Sequence, residues 1–254
     1  MIMAYLLATL IGFSLGIMGG GGSILTVPIL VYVLKMDAKL SIAMSLAIVG
    51  TTSLVGVFNH FRAGNVNLKV AAIFGPIAMV GTFLGAKISK LMSGEAQLIL
   101  FAIIMLMASY FMIKGRKEVE ADDNDYKEKK LNIPLLGAQA ICVGIITGLV
   151  GVGGGFMIVP ALVLLTGLSM KMAVGTSLFI IALNSFSGFA GYLGMFEFNW
   201  GFLAKFSGAS IFGILVGSQL VQFISQRVLK KSFGVFLILM GLFILYKNKH
   251  VFLS

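Results

Sequence analysis

Two clusters of glycine are the features of this sequence best suited to binding a small ligand. Glycine has no side chain, so a ligand can approach the backbone closely there. Where such a cluster opens a helix, the first backbone N–H groups lack partners within the helix and favour an anion. The clusters comprise Gly19, Gly20, Gly21 and Gly22 with the adjoining Ser23 in the first half, and Gly151, Gly153, Gly154 and Gly155 in the second. We therefore predict that these residues bind a substrate anion through backbone donors.

Uncharged polar side chains downstream of each cluster could add donors to this site. Ser53 follows the first cluster, and Asn184 and Ser185 follow the second. Hydroxyl and carboxamide groups suit an oxyanion in surroundings of low dielectric constant. Hydrogen bonding between neighbouring helices is an equally open interpretation for each of the three. We include all three in the predicted substrate site.

Helix packing is the competing interpretation of the glycines. Small residues four apart let two membrane helices approach closely, and this favours packing for pairs such as Gly81 and Gly85. The two clusters differ because each precedes an apolar segment of about twelve residues, at 23–34 and 155–166, which is too short to cross a bilayer. Such re-entrant or broken helices hold ligands in many transporters. For the clusters, ligand binding is therefore the favoured interpretation.

Ionisable residues give little sign of catalysis. His60 is the best-placed candidate for a proton-linked role, with an interfacial loop histidine as the competing interpretation. A catalytic site in the membrane would need paired carboxylates, a metal cluster, or a nucleophile with a base. The chain has 2 histidines and 9 acidic residues, most of them in one charged central stretch. We expect no enzymatic activity, no catalytic residue, no metal and no cofactor.

The elements that must position these residues are membrane helices. The chain is 59% hydrophobic with a mean hydropathy of +1.04. Only 11% of it is charged, where a soluble domain carries roughly a quarter. Apolar runs such as 71–86, 98–113 and 232–246 approach the ~20 residues that span a bilayer as a helix. Because lipid offers the backbone no hydrogen bonds, the sequence predicts an all-α polytopic membrane protein.

The formal net charge of +10 reflects Lys and Arg residues scattered singly at the ends of the apolar runs. That distribution is typical of snorkelling side chains and of the positive-inside bias of membrane proteins. A nucleic-acid site would instead cluster them on one face. We therefore expect lipid around the protein and no nucleic-acid partner.

The two halves of the chain are homologous. The stretch GIMGGGGSILTVP at 16–28 matches GLVGVGGGFMIVP at 148–160, at a constant offset of 132 residues. The same offset pairs Ser53 with Ser185. A mixed-charge stretch between the halves cannot lie in hydrocarbon and reads as an exposed linker. The predicted organisation is a first membrane repeat at 1–113, a charged linker at 114–132 and a second membrane repeat at 133–254.

Each repeat is expected to contain about four spanning helices and the short helix that follows its glycine cluster. If the short helices return to the side from which they came, the repeats are inverted; if they pass straight through, the repeats are parallel. Inversion is favoured because it gathers most cations on one side, which the charge bias makes cytoplasmic together with the linker. Those cations are Arg62, Lys69, the linker cations, Lys171, Arg227, Lys230 and Lys231.

The twin glycine stretches, the chain length and the central charged linker resemble the TauE/SafE family of sulfite exporters. The resemblance covers essentially the whole chain. It implies a location in the bacterial inner (plasma) membrane and the transport of sulfite, a related sulfur-containing anion or an organic acid. The two clusters are not identical, because Gly20 and Ser23 stand where the second half has Val152 and Gly155.

The leading functional hypothesis is a secondary transporter that exports a small inorganic or organosulfur anion such as sulfite. The anion would bind near the membrane midplane between two glycine-rich helix N-termini, with the repeats rocking around it. A passive anion channel or facilitator is the nearest alternative, because the sequence contains no convincing proton relay. A non-transporting membrane subunit is the third interpretation.

Overall fold

The computed structural model describes residues 2–114, 133–151 and 155–248. Over these residues the chain is helical and contains no β-strand, which confirms the predicted all-α class. Val152, Gly153, Gly154 and most of the predicted linker lie outside the described residues. The helices are α1 (Ile2–Met18), α2 (Gly21–Pro28), α3 (Ala38–Arg62), α4 (Leu68–Ile88), α5 (Gly94–Lys114), α6 (Ile133–Val150), α7 (Gly155–Ala161), α8 (Met170–Tyr192), α9 (Trp200–Leu220) and α10 (Gln226–Lys247).

Four of the described helices are long and apolar enough to cross a membrane by length and composition. The candidate spans are α3, α4 with its extension to Leu91, α8 and α9. Apolar helices that are shorter in the described residues include α1, α5 and α6. The chain is therefore a multi-pass membrane protein.

Polar caps begin equivalent helices in the two halves. The Asp37 carboxylate accepts a hydrogen bond from the Leu40 amide at 3.0 Å at the start of α3, and Ser169 caps α8 in the same way. Asn67 and Asn199 begin α4 and α9. Each cap satisfies one of the amides that a first helical turn leaves unpaired. The repeated caps fix where the long helices begin.

The short helices α2 and α7 each continue into one π-helical turn, at Ile29–Val33 and Leu162–Thr166. Pro28 ends α2 and Pro160 is the penultimate residue of α7. Proline has no N–H to donate, so the hydrogen-bond pattern is interrupted at that point. A single wider turn after the proline accommodates the interruption. The predicted short helices are thus present in both halves, and each follows a glycine cluster.

The equivalent helices α3 and α8 pack antiparallel against each other at the centre of the fold. A Cβ atom placed on Gly50 would lie 3.1 Å from the Cβ of Ser185. Ten residues further along α3, His60 has its Cβ 3.0 Å from the position that a Cβ on Gly175 would take. The residues of α8 that face α3 therefore fall in number as the residue numbers along α3 rise, so the two helices are antiparallel. Every residue from Ser41 to Gly50 is buried, so this pair forms the core.

Outer helices of one half pack against outer helices of the other half. Gly12 and Gly16 of α1 lie against α9, where a Cβ on Gly12 would overlap the Ser210 carbonyl and one on Gly16 would lie 2.6 Å from the Ser218 amide nitrogen. Helix α6 packs against α4 in the same way. Both pairs run parallel, with backbone in contact with backbone. These glycines therefore serve close helix packing, as the four-residue spacing predicts.

We infer from these contacts that the repeats are inverted. Parallel repeats would place a helix and its counterpart in the same direction, whereas α3 and α8 run in opposite directions. Helix α4 runs parallel to α8 and to α6, and α9 runs parallel to α3 and to α1, so α4 is antiparallel to its counterpart α9 and α1 to its counterpart α6. The loop after α3 and the loop after α8 then face opposite sides of the membrane.

Cysteine labelling tests this topology. We expect Ala63→Cys, in the loop after α3, to react from the cytoplasmic side, and Glu197→Cys, in the loop after α8, to react only from outside. Both positions are exposed, and the native Cys142 is replaced by serine because it is exposed too. A cysteine within 118–126 serves as a third probe, and it too is expected to react from the cytoplasmic side. Labelling of Ala63→Cys and Glu197→Cys from one side would contradict inversion.

Candidate functional site at the glycine turns

The first glycine turn lies against the central helix of the other half. Gly19 has φ +60°, a left-handed conformation that L-residues with side chains rarely adopt. A Cβ on Gly19 would lie 2.9 Å from the Ser177 hydroxyl oxygen and 3.2 Å from the Val174 Cα, both on α8. The residue must therefore be glycine for two reasons, backbone conformation and the close approach of α8.

The second glycine turn makes the reciprocal contact. Gly151 has φ +72°, and a Cβ there would overlap the side chain of Ile42 on α3. The Ser45 hydroxyl of α3 donates a short hydrogen bond to the Gly151 carbonyl. Ile42 and Ser45 are the repeat counterparts of the α8 residues beside Gly19. Each half thus places its glycine turn on the core helix of the other half.

The two turns also touch each other. A Cβ on Gly155, the first residue of α7, would overlap the Cα of Gly20 and the side chain of Ile181. Gly20 immediately precedes α2. The N-terminal ends of the two short helices therefore meet beside α8, which is the convergence that the sequence predicts for Gly19, Gly20 and Gly155.

Other residues of the predicted cradle have local roles. A Cβ on Gly22 would overlap the Leu15 backbone, so Gly22 lets α2 fold back closely on α1. The Ser23 hydroxyl is buried and donates to the Gly20 carbonyl at 2.6 Å, which occupies its proton. Gly21 is the first residue of α2. Gly153 and Gly154 lie outside the described residues.

The three predicted polar residues are fully buried and share one unusual property. Ser53, Asn184 and Ser185 each have 0% of their surface exposed. Neither serine hydroxyl has a hydrogen-bond partner, and both the Nδ2 and the Oδ1 of Asn184 also lack one. Leaving a buried polar group unpaired costs roughly 1–3 kcal/mol. We call these three residues the unpaired polar cluster.

Neighbouring hydroxyl groups show that this property is not general to the core. Thr52, the repeat counterpart of Asn184, donates to the Ile48 carbonyl at 2.6 Å. Ser177 donates to the Val174 carbonyl at 2.8 Å. Such bonds to the preceding helical turn are the usual way for Ser and Thr to be satisfied within a helix. The unpaired polar cluster lacks even these bonds, so its donors and acceptors are available to a ligand.

Helical spacing places the unpaired polar cluster next to the glycine turns. Ser177, Ile181 and Asn184 follow one another on one stripe of α8, at spacings of four and three residues. The first contacts Gly19 and the second contacts Gly155, so Asn184 is one turn further along the same stripe.

The two serines lie where α3 and α8 pack together. Ser185 faces Gly50 of α3, and Ser53 is one helical turn beyond Gly50. The unpaired polar cluster is therefore assembled from both halves of the chain. Among the side chains that the structure describes, none of the buried ones is Lys, Arg, Asp or Glu, so the surrounding groups are neutral donors and acceptors.

His60 is not part of this cluster. It lies in the last turn of α3, seven residues beyond Ser53, which corresponds to about 10 Å along a helix. Its side chain is 2% exposed and hydrogen-bonded to the backbone of Gly16, while its Nε2 has no partner. Its counterpart Tyr192 donates to the Gly148 carbonyl at 3.0 Å. His60 is thus a buried helix residue that joins α3 to α1.

Two further unpaired hydroxyls were not singled out from the sequence as ligand-binding groups. Thr26 on α2 and Ser41 on α3 are fully buried, and neither hydroxyl oxygen has a partner. Thr26 is one turn beyond Ser23, on the short helix itself. Its position on that helix is the one signal in the sequence that could have identified it.

Comparison with known proteins agrees with this architecture. A family model described as sulfite exporter TauE/SafE matches residues 4–244. A probable membrane transporter protein of Xylella fastidiosa (strain Temecula1) is 30% identical over 242 residues, which cover 94% of this chain and 92% of that protein. The probable membrane transporter protein YdhB of Bacillus subtilis (strain 168) is 26% identical over 251 residues, covering 96% of this chain and 100% of the relative. No solved structure shows a significant match.

The family match spans nearly the whole chain, and the relatives are aligned over almost their full lengths. Together they indicate a multi-pass membrane transporter. The paired glycine turns and the helical membrane fold are consistent with that assignment. The chain belongs to the TauE/SafE sulfite exporter family.

Proposed function

We propose that the protein is a secondary transporter that exports a small sulfur-containing anion such as sulfite across the bacterial inner membrane. The observation that carries the proposal is the unpaired polar cluster, Ser53, Asn184 and Ser185, beside the point where the two glycine turns meet. A small oxyanion would supply the hydrogen-bond acceptors that these donors lack. The amides at the N-terminus of α2 would add further donors and a favourable dipole.

The site binds an anion without a buried cation. Hydrogen bonds to a charged group contribute about 1.5–3 kcal/mol each, so several neutral donors can replace the water that a small anion loses. Neutral donors also hold the anion less tightly than Lys or Arg would. A transporter needs such moderate binding, because it must release its substrate on the far side.

The contact between Gly20 and Gly155 suggests how access is controlled. The turns touch in this conformation, so the anion reaches the cluster only when they move apart. Each turn rests on the core helix of the opposite half, so movement of the helices that carry the turns relative to α3 and α8 displaces the turns. Alternating access around a fixed central site is the usual scheme for inverted repeats.

A passive facilitator for the same anion is the second candidate. It is favoured by the position of His60, which lies about 10 Å from Ser53 along α3 and so supplies no proton at the cluster. A carrier and a channel differ in kinetics. Only a carrier shows saturation together with counterflow.

Uptake of labelled sulfite into proteoliposomes tests the proposal, with chloride and phosphate as control anions. We expect saturable flux that is stimulated by sulfite preloaded on the opposite side. Saturable flux and counterflow that respond to an imposed pH gradient would identify a coupled carrier. Flux without counterflow would favour the channel, and no flux of any anion would favour the non-transporting subunit.

Removing the serine hydroxyls should weaken binding without weakening the fold. We expect Ser53→Ala and Ser185→Ala each to raise the half-saturating sulfite concentration about tenfold, because each removes a hydrogen bond to the anion. Thermal stability should not fall, since neither hydroxyl has a partner in the empty protein. Ser109→Ala is the control, because the Ser109 hydroxyl already donates to the Leu106 carbonyl of its own helix, α5. Unchanged half-saturation in both variants would remove the serines from the site.

A further inference from the structure

The carboxamide of Asn184 carries information about the substrate beyond its negative charge. A carboxamide offers two N–H donors and one oxygen acceptor. Both ends are buried without a partner, so exchanging the assigned positions of nitrogen and oxygen leaves the same result. A ligand that fills this site well must therefore accept hydrogen bonds from Nδ2 and also donate one to Oδ1.

An anion without a hydrogen atom meets only half of this requirement. Its oxygens would accept from Nδ2 and from the hydroxyls of Ser53 and Ser185. The Asn184 Oδ1 would remain buried and unpaired, with its partial negative charge close to the anion. An oxyanion that carries one hydroxyl group meets the whole requirement, because its O–H donates to Oδ1 while its other oxygens accept.

The charges of the surroundings favour the same ligand. Among the buried side chains that the structure describes, none is Lys or Arg, so no side-chain cation offsets a second negative charge. Bringing a doubly charged ion into such a site is far more costly than bringing in a singly charged one. A metal cation could use Oδ1 and the serine oxygens, but it would face Nδ2 and the positive end of α2.

Resting on the proposed function, we infer that the site binds the sulfur oxyanion in its singly protonated form, with Asn184 Oδ1 accepting the substrate's own O–H. The Nδ2 of Asn184 and the hydroxyls of Ser53 and Ser185 donate to its remaining oxygens. The substrate then carries a proton across the membrane with it. This removes the need for a proton relay in the protein and agrees with the position of His60 outside the cluster.

Two competing ligands of equal charge test the inference. Methanesulfinate is hydrogen sulfite with a methyl group in place of the hydroxyl. In mildly acidic buffer, where sulfite is largely singly protonated, each is used unlabelled to inhibit the uptake of labelled sulfite into proteoliposomes. We expect hydrogen sulfite to inhibit at least about tenfold more strongly than methanesulfinate, since an unmatched buried acceptor discriminates strongly.

Variants of Asn184 test whether its Oδ1 causes the preference for hydrogen sulfite. In Asn184→Leu the preference for hydrogen sulfite is expected to fall to about twofold or less, alongside weaker uptake. Thr52→Val is the matched control, because Thr52 is the repeat counterpart and already donates to the Ile48 carbonyl; there the preference persists. If Asn184→Leu does not fold, the same comparison of the two inhibitors is made with Asn184→Thr. A threonine at this position can donate a hydrogen bond to its own helix, as Thr52 does.

The outcomes separate this inference from the proposed function. Saturable sulfite uptake that methanesulfinate inhibits equally well would overturn the inference and leave the proposed function intact. A preference that survives in the folded Asn184 variants, or a strict requirement for a metal cation, would also overturn it. Absence of sulfite uptake in the wild-type protein would overturn the proposed function, and this inference with it.

Discussion

Gly155→Val is expected to reduce anion flux to the level of liposomes without protein. The new Cβ would overlap the Cα of Gly20, and the branched methyl groups would extend towards Ile181 on α8. Backbone cannot move aside as the tip of a flexible side chain can, so the ends of α2 and α7 must be forced apart. The backbone donors of the two turns would then be too far apart to hydrogen-bond to the same anion. Proteoliposome uptake of labelled sulfite measures the effect.

The control for this variant is the same substitution at a glycine that faces open space. Gly208 lies on α9, is exposed, and has no atom within 4 Å of the position that its Cβ would take. Gly208→Val should insert and transport as the wild-type protein does. Both variants are compared as folded, monodisperse protein, so that a loss of transport is not caused by misfolding. Wild-type flux in folded Gly155→Val would show that the meeting of the turns is not needed for transport.

Gly148→Ala is expected to destabilise the protein more than any conservative change on the lipid-facing surface. Gly148 is the point where α6 touches α4, and a Cβ there would overlap the Thr82 carbonyl and lie 2.6 Å from the Ala86 amide nitrogen. The helices would have to separate, at a cost typical of overpacking, about 1–3 kcal/mol. The Gly148 carbonyl also accepts the hydrogen bond of Tyr192, which ties α6 to α8. Thermal unfolding in detergent measures the loss.

Gly137→Ala on the same helix is the matched control for Gly148→Ala. Its new Cβ would meet only the terminal methyl of Ile77, at 3.4 Å, which is ordinary contact. Alanine also favours a helix over glycine by about 1 kcal/mol. Gly137→Ala should therefore unfold at the wild-type temperature or slightly above it. Equal unfolding temperatures for the two variants would contradict close backbone packing between α4 and α6.

The same small-residue packing connects stability with the proposed transport cycle. The backbone contacts of α1 with α9 and of α6 with α4 tie each half to the other, so each pair should move as one body. The glycine turns lie at the ends of α1 and α6, beside the core helices α3 and α8. Movement of a packed pair along the core would therefore shift a turn away from the unpaired polar cluster.

Several elements were predictable from the sequence with close boundaries. The apolar run at 71–86 lies within α4, Leu68–Ile88, which one 3₁₀ turn extends to Leu91. Helix α3 runs from Ala38 to Arg62 and includes polar residues at both ends. Asp37 caps its start, and near its end His60 is buried and hydrogen-bonded to the backbone of Gly16.

The roles of individual glycines were not predictable from spacing. Gly20 and Gly22 belong to one cluster, yet Gly20 meets the opposite turn while Gly22 packs on α1 of its own half. Likewise Thr52 and Ser53 are adjacent hydroxyl residues, and only Ser53 is left without a partner. Such differences depend on which atoms of a distant helix approach, which no local pattern encodes.

The sequence by itself determined that the chain forms membrane helices and that each half carries a glycine cluster before a short helix, and it predicts that the two halves are homologous. Those features follow from residue type and local order, because lipid selects apolar helices and glycine alone tolerates the backbone of the turns. The tertiary structure alone decided that each turn rests on the core helix of the other half, and that Asn184 is left with two unpaired ends. Those features arise from packing between segments more than a hundred residues apart, which bury some polar groups beside a partner and others without one.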